Sequence, residues 1–324
     1  ANRHSMTTVR NQVVTSHARA AVASGNQASC LMPASSFHSE SFTEPSQIIW
    51  DDAPPIRSFP ASAMRLMQAT KDEDCETDKL VSIIECDPGY ASQLLQIANS
   101  SLYGMSGRVG SVKQAVIVLG FRKLHNLAVS MAAADVFSQS GQCQQEREEL
   151  WHHSLACAVT ARQIAARVGI SPDEAFLAGV LDDVGKLVML DVVADAYGSA
   201  VEQFDRLSEY DSLTDLEVQT FGRDHQELGM DCADEWGLPF EMTAVIGHHH
   251  QPQAAPVSNQ LCELTRLSNH LVDCWNLTGS RTCEQKPFQT ELEFRLAVST
   301  DVLSSVRDEI DTQYEDIRAV CSAT

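Results

Sequence analysis

The run Ser171-Pro172-Asp173-Glu174 fits one kind of element best. Serine can cap free backbone N–H groups, proline suits the first helical position, and the two acids are favoured by the positive end of a helix dipole. The same grammar recurs at Asp87-Pro88, while Gly120 and Gly169 stand where left-handed C-caps would close helices. Between these marks the apolar residues recur at helical spacing, with no alternating run long enough for a sheet and no long-period repeat. The expected fold class is therefore all-α.

Residues 1–50 are rich in Ser, Ala, Asn and Thr without sustained periodicity, and are expected to form a disordered leader. The first residue is Ala, so the natural start is expected at Met6 or upstream. Asp51-Asp52-Ala53-Pro54-Pro55 ends this stretch. Residues 52–137 then carry five expected helices. One begins at Ser58-Phe59-Pro60, one runs Lys79 to Cys86, one follows Asp87, one runs from Ser111 to Gly120, and one starts at Phe121. A polar connection over 138–149 leads to a second helical unit over 150–275. There Leu150–Val168 is the first helix, and the second holds Asp182-Asp183. Thr214-x-x-Glu217 fits a capping box for a third. Asp224 opens a fourth, with two more over Pro239–His248 and Pro256–Val272. A tail over 276–324 offers helices near Leu292–Leu296 and Val302–Val320, whose stripe of Val302, Leu303, Val306, Ile310 and Ile317 would dock on the domain or join a partner helix.

Charge narrows the functional classes. The net charge of −21 argues against nucleic-acid binding, although Arg122-Lys123 is a local basic pair. No apolar stretch reads as a membrane span, and the N-terminus lacks the apolar core of a secretory signal. The ten cysteines form no Cys-x-x-Cys pair and several sit among apolar residues, which suggests reduced thiols and a cytoplasmic setting. There is no Gly-x-Ser-x-Gly, and Gly185-Lys186 lacks the upstream glycine of a phosphate-binding loop.

Chemistry concentrates in Leu177-Ala-Gly-Val-Leu-Asp-Asp-Val-Gly-Lys-Leu187 and in the scattered histidines. The frame resembles the signature helix of the HD metal-dependent phosphohydrolases, with Asp182 at the histidine position. The stretches Asp87–Gly104 and Ser111–Gly120, the segment Gly222–Pro239 with its Trp236-Gly-Leu-Pro, and His249-His250-Gln251-Pro252 resemble the HDOD domains, HD-related output domains of bacterial signalling proteins. The resemblance covers roughly residues 52–275. It implies an HD-like helical bundle with the five-helix unit packed on it. It also implies a relic site of His153, Asp182, Asp183, His225, His249, His250 and Asn269, the last standing where the family has a late aspartate. Two ligands of the ancestral four are thus altered. Asp182 keeps an oxygen donor, whereas Asn269 loses a charge.

The implied function is a non-catalytic, stand-alone output module acting through protein partners or a small ligand. Those partners would be signalling proteins, including cyclic-di-GMP turnover or two-component proteins. No cofactor is expected. The alternative is a metal-dependent phosphohydrolase holding Mg, Mn, Fe or Ni through His153, Asp182, Asp183, His225, His249 and His250. Plainer roles stand beside these. His153 would be a satisfied core residue, and His248–His250 a polar helix terminus. One of Asp182 and Asp183, about 100° apart on a helix, would face solvent. Lys186 would pair with either for a few tenths of a kcal/mol.

Overall fold

The first helices lie within two or three residues of where they are expected, and one of them is capped as the sequence indicates. The computed structural model describes residues 50, 59, 61–70, 72, 75–103, 109–138, 143–207, 212–279, 296 and 298–321. In that set every regular element is helical and there is no strand. The first three helices are α1 (Ala61–Thr70), α2 (Thr77–Glu85) and α3 (Pro88–Ala98). The Asp87 carboxylate accepts from Tyr90 N at 3.1 Å, and Pro88 occupies the first turn of α3. α4 (Val112–Ser138) is two helices joined at Gly120, whose φ of 71° and ψ of 170° break the helical ladder. That break is the one expected between Ser111–Gly120 and the helix from Phe121. Val112–Phe137 is long and apolar enough to cross a membrane, yet most of it is buried inside the protein and Gly120 interrupts it.

α5 (Gln144–Val168) starts six residues earlier than expected, so the polar Gln144–Glu149 run is helix and not connection. It ends at Gly169, which is left-handed at φ 76°. The helix expected after Ser171 is divided. α6 (Pro172–Leu181) stops at Asp182, Asp183 leaves helical geometry at φ −98° and ψ 12°, and α7 (Val184–Val192) sets off anew. α8 (Ala194–Leu207) follows, an element the sequence reading did not separate.

Packing dictates that break. A Cβ at Gly185 would lie 1.8 Å from the backbone oxygen of His225, so only glycine lets α7 press against α10 (His225–Glu235). A Cβ at Gly179 would lie 2.6 Å from Ala158 N, so α6 is equally close to α5. The acid pair therefore sits at a corner between two tight helix crossings.

α9 (Leu213–Phe221) corrects the capping box. Its cap is Ser212, whose hydroxyl accepts from Asp215 N at 3.2 Å, while Thr214 is bonded to Ser212 Oγ. Glu217 turns inward and is fully buried. α11 (Phe240–His248) and α12 (Asn259–Trp275) complete this half, joined by a short 3₁₀ turn at Pro252–Ala254. Trp236 stacks on Phe59 with ring centroids 4.2 Å apart, and the Trp50 indole donates to Phe221 O at 2.9 Å. Both contacts tie the N-terminal edge to the later helices.

α13 (Thr300–Cys321) docks on α5 and α3 through buried Leu303, Val306, Ile310, Tyr314 and Ile317. Polar bonds flank the seam, from Gln163 to Gln313 at 2.6 Å and from Arg167 to Glu309 at 2.9 Å. Of the two outcomes open to this stripe, it takes the intramolecular one. Residues 1–49, the Asp51–Pro55 segment, Ser58, Pro60 and all of the Leu292–Leu296 helix except Leu296 lie outside the described residues.

Candidate metal centre

Four helix ends and two helix faces converge on the Asp182–Asp183 corner. α5 contributes His153, α10 begins with His225, α11 ends in His248–His250, and α12 carries Asn269. His225 is fixed at the first position of α10 because Asp224 caps that helix, its carboxylate accepting from Glu227 N at 2.8 Å. Neither aspartate faces solvent, contrary to the plainer sequence reading. Asp182 is 0% and Asp183 2% exposed.

The seven expected site residues separate into two groups. The first comprises Asp183, His225, His249 and His250, whose ligand atoms all lie within 4.8 Å of one another. Asp183 Oδ1 stands 3.4 Å from His225 Nε2 and 3.6 Å from His249 Nε2, and His225 Nε2 is 3.1 Å from His250 Nε2. Hydrogen-bond partners assign the tautomers. His225 donates through Nδ1 to Glu217 Oε2 at 2.6 Å, and His249 through Nδ1 to Ile246 O at 2.9 Å. The Nε2 lone pair of His249 therefore points at a carboxylate oxygen, while His225 Nε2 faces the same oxygen and is also within hydrogen-bond distance of His250 Nε2. Asp183 Oδ1 and His249 Nε2 are buried with no hydrogen-bond partner.

Buried acceptors facing one another are unfavourable unless a proton or a cation lies between them. With bonds of about 2.1 Å, neighbouring ligands of a tetrahedral ion stand about 3.4 Å apart. The separations of 3.1, 3.4 and 3.6 Å lie near that edge and the whole set stays within 4.8 Å, so the donor set fits a divalent ion once the side chains adjust by a few tenths of an ångström or more.

Electrostatics follow the same geometry. Burial pushes the Asp183 carboxyl up, but Lys186, His249 and His225 override it and hold it well below the usual range. Lys186 Nζ lies 2.7 Å from Asp183 Oδ2, so of the two partners open to this lysine it takes Asp183. Burial pushes His249 down, and Asp183 with Asp182 leaves it raised. Burial, then His249 and His225, holds His250 well below its ordinary value. The side chain of Lys186 is 17% exposed and His250 is half-buried, so these two residues form the side of the cluster nearest solvent.

The second group is a hydrogen-bonded clasp. Asn269 Nδ2 donates to Asp182 Oδ2 at 2.5 Å and to Thr265 O at 3.1 Å. Its Oδ1 accepts from His153 Nε2 at 2.8 Å and from the Cys157 thiol at 3.1 Å. Every hydrogen-bonding position of the amide is thereby used. Asp182 Oδ1 accepts from Asp183 N at 3.0 Å. Burial and the neighbouring Asp183 push the Asp182 carboxyl up to about 6, against His249, Asn269 and His153. Burial and Asp182 likewise raise the Cys157 thiol well above its ordinary value, so it stays a protonated donor. An ionised aspartate at position 269 would have no proton to give Asp182, so the pair would have to bind one to remain together. Asparagine there suits a site with a carboxylate at position 182.

His248 lies outside both groups, half-buried at the end of α11, and burial lowers its pKa. Sequence reasoning missed Glu217 and Cys157. Burial raises the Glu217 carboxyl, but its bonds to His225 win and leave it lowered. Its one visible signal was a position eight residues before His225 across the Gly222 turn, and that signal also fitted a capping box.

An all-helical bundle with this corner defines an HD-like domain. The family model of the HDOD domain matches residues 56–252, more than half of the chain, and the chain belongs to that family. An HDOD domain protein from Geobacter sulfurreducens superposes with a TM-score of 0.68 at 22% identity, covering 82% of this chain and 94% of the other. A Marinobacter aquaeolei VT8 protein, named provisionally for signal transduction, gives a TM-score of 0.62 at 23% identity over 83% of this chain and 59% of that one. A Shewanella amazonensis SB2B protein, provisionally named a phosphohydrolase, gives 0.62 at 19% identity over 81% and 94%. An uncharacterised protein of Treponema pallidum (strain Nichols) is 24% identical over 266 residues, 79% of this chain. The chain spans about half the length of that curated relative.

Proposed function

We propose that this chain is a non-catalytic signal-transduction output module of the bacterial cytoplasm, acting by binding signalling proteins such as cyclic-di-GMP turnover or two-component proteins. The observation that carries the reading is the Asn269 clasp. Hydrolysis of a phosphoester at an HD-type centre needs a water activated by a full set of charged ligands. Here His153 and Asp182 are tied to Asn269, which also accepts from Cys157, and neither belongs to the set of ligand atoms within 4.8 Å of one another. Asp183, His225 and His249 are also shielded from solvent, at 2% exposure or less.

The sequence alone favoured no cofactor. The orphaned acceptors favour the alternative, a divalent ion held by Asp183, His225, His249 and His250. Three imidazoles and one carboxylate suit a first-row ion such as Fe, Ni, Mn or Zn better than Mg, which prefers oxygen ligands. Such an ion would supply cross-linking between the α6–α7 corner, α10 and α11, and Lewis acidity toward any oxygen that reached it. This chain's own residues hold the corner shut. Lys186 neutralises Asp183, and Glu217 fixes the His225 tautomer.

The test is turnover. Protein loaded with Mn, Fe, Ni or Zn should leave a panel of nucleotides, cyclic dinucleotides and simple phosphoesters intact. Hydrolysis that disappears in Asp183→Ala would establish the second reading, a metal-dependent phosphohydrolase with an altered site. The observation favouring that reading is that Lys186 and His250, both bonded to cluster residues, are only partly buried and give the cluster a side toward solvent.

A further inference from the structure

Glu217 and Tyr197 lie outside the inherited ligand set, yet both are buried and both lead to it. Glu217 is 0% and Tyr197 4% exposed. Tyr197, on α8, donates its hydroxyl to Glu217 Oε1 at 2.8 Å. Glu217 Oε2 accepts from the His225 ring at 2.6 Å and from the His225 backbone N–H at 2.9 Å. One buried carboxylate thus takes three donors, two of them from a single histidine. A buried carboxylate is costly, and a neutral amide could still accept both His225 bonds on its single oxygen, with only the Tyr197 hydroxyl having to reverse its role. A negative charge behind an imidazole has a specific use when the far nitrogen meets a cation. It fixes the tautomer and raises the basicity of the ligand.

We infer that Tyr197 and Glu217 are a positioning pair that holds His225 with Nε2 unprotonated and makes it a stronger ligand for a divalent ion at Asp183, His249 and His250. The inference rests on reading that cluster as a metal centre. It assigns a function to α8 and α9, which otherwise contribute no residue to the site. Tyr197 orients the carboxylate by occupying the oxygen that His225 does not use. The Tyr197 ring in turn leans on Phe221 at 6.1 Å, which seats it against the end of α9.

The test uses the full chain with ¹⁵N-labelled histidine and two variants. E217Q keeps an acceptor for His225 but removes the charge, and Tyr197→Phe leaves the charge but frees one oxygen. In metal-free wild-type protein the His225 ring should be protonated on Nδ1, with that proton far downfield. E217Q should move it upfield. Zinc titrated against a chelating dye should bind E217Q at least tenfold more weakly than wild type, with Tyr197→Phe between the two. Unchanged zinc affinity and unchanged His225 signals in folded E217Q would overturn the inference, because a pair that merely anchored α9 to α10 would give that result. If E217Q does not fold, Tyr197→Phe decides by the same two readouts. Should the wild-type protein bind no zinc, the metal-centre reading fails, and the inference fails with it. A retained tautomer effect would then show only that Glu217 orients the ring.

Discussion

Replacing Asn269 by aspartate probes the clasp most sharply, because it keeps the side chain's shape, removes the amide donors and should make the metal-free protein less stable. The change deletes two donated bonds, to Asp182 Oδ2 at 2.5 Å and to Thr265 O at 3.1 Å. The first goes to a carboxylate, where such bonds contribute about 1.5–3 kcal/mol, and the second contributes about 1 kcal/mol. The new carboxylate would also face Asp182 at hydrogen-bond distance, and two like charges that close do not both ionise. Position 269 is half-buried, which tempers the total to about 2–4 kcal/mol at pH 8. The sign with pH follows from Asp182, whose pKa is already raised to about 6 when folded. The folded acid pair holds a proton that the unfolded chain releases near pH 4. The penalty is therefore smallest below pH 4 and grows as pH rises through the folded value. Urea denaturation in EDTA at pH 5 and pH 8 should show N269D destabilised at both, more at pH 8, with an unchanged m-value. Excess manganese should recover part of the loss. A variant within 0.5 kcal/mol of wild type in EDTA at pH 8 would refute the clasp.

Other perturbations bear on the scaffold. Gly185→Ala drives a Cβ into the His225 carbonyl; it should cost about 1–3 kcal/mol in urea denaturation and weaken zinc binding, since α7 and α10 must part. Ile310→Ala empties a fully buried position under α13 and should cost about 2–5 kcal/mol, read as an earlier unfolding midpoint. Ile117, 64% exposed on α4, is the control, and its alanine variant should stay within about 0.5 kcal/mol of wild type.

Much of this fold was legible because local signals and tertiary structure agree. Asp87 and Asp224 cap the helices they mark, α6 starts at Pro172 although Ser171 makes no side-chain cap bond, and Gly120 and Gly169 end or break helices. The family resemblance drawn from Asp87–Gly120 and the Asp182–Asp183 frame was sound. Local pattern failed where packing overrides it. Nothing in Leu181-Asp182-Asp183-Val184 announces a helix break, because the break comes from Gly185 meeting a backbone oxygen forty residues away. The Thr214–Glu217 box failed for a related reason. A buried histidine claimed the carboxylate that helical spacing alone would have assigned to a cap. The histidines themselves were identifiable, but their division into a cluster and a clasp was not. That division depends on which way Asn269 and Asp182 face, and sequence does not encode rotamers directly.

The number of metal ions held per chain discriminates best between a dismantled site and a working one. Full-length protein loaded with manganese or zinc, freed of excess ion and assayed by elemental analysis, should retain one ion per chain, lost on His225→Ala. Two ions per chain would mean that His153, Asp182 and Asn269 open to complete a second metal position, and none would mean that the buried acceptors are satisfied by protons alone; either result contradicts a single residual centre beside a closed clasp.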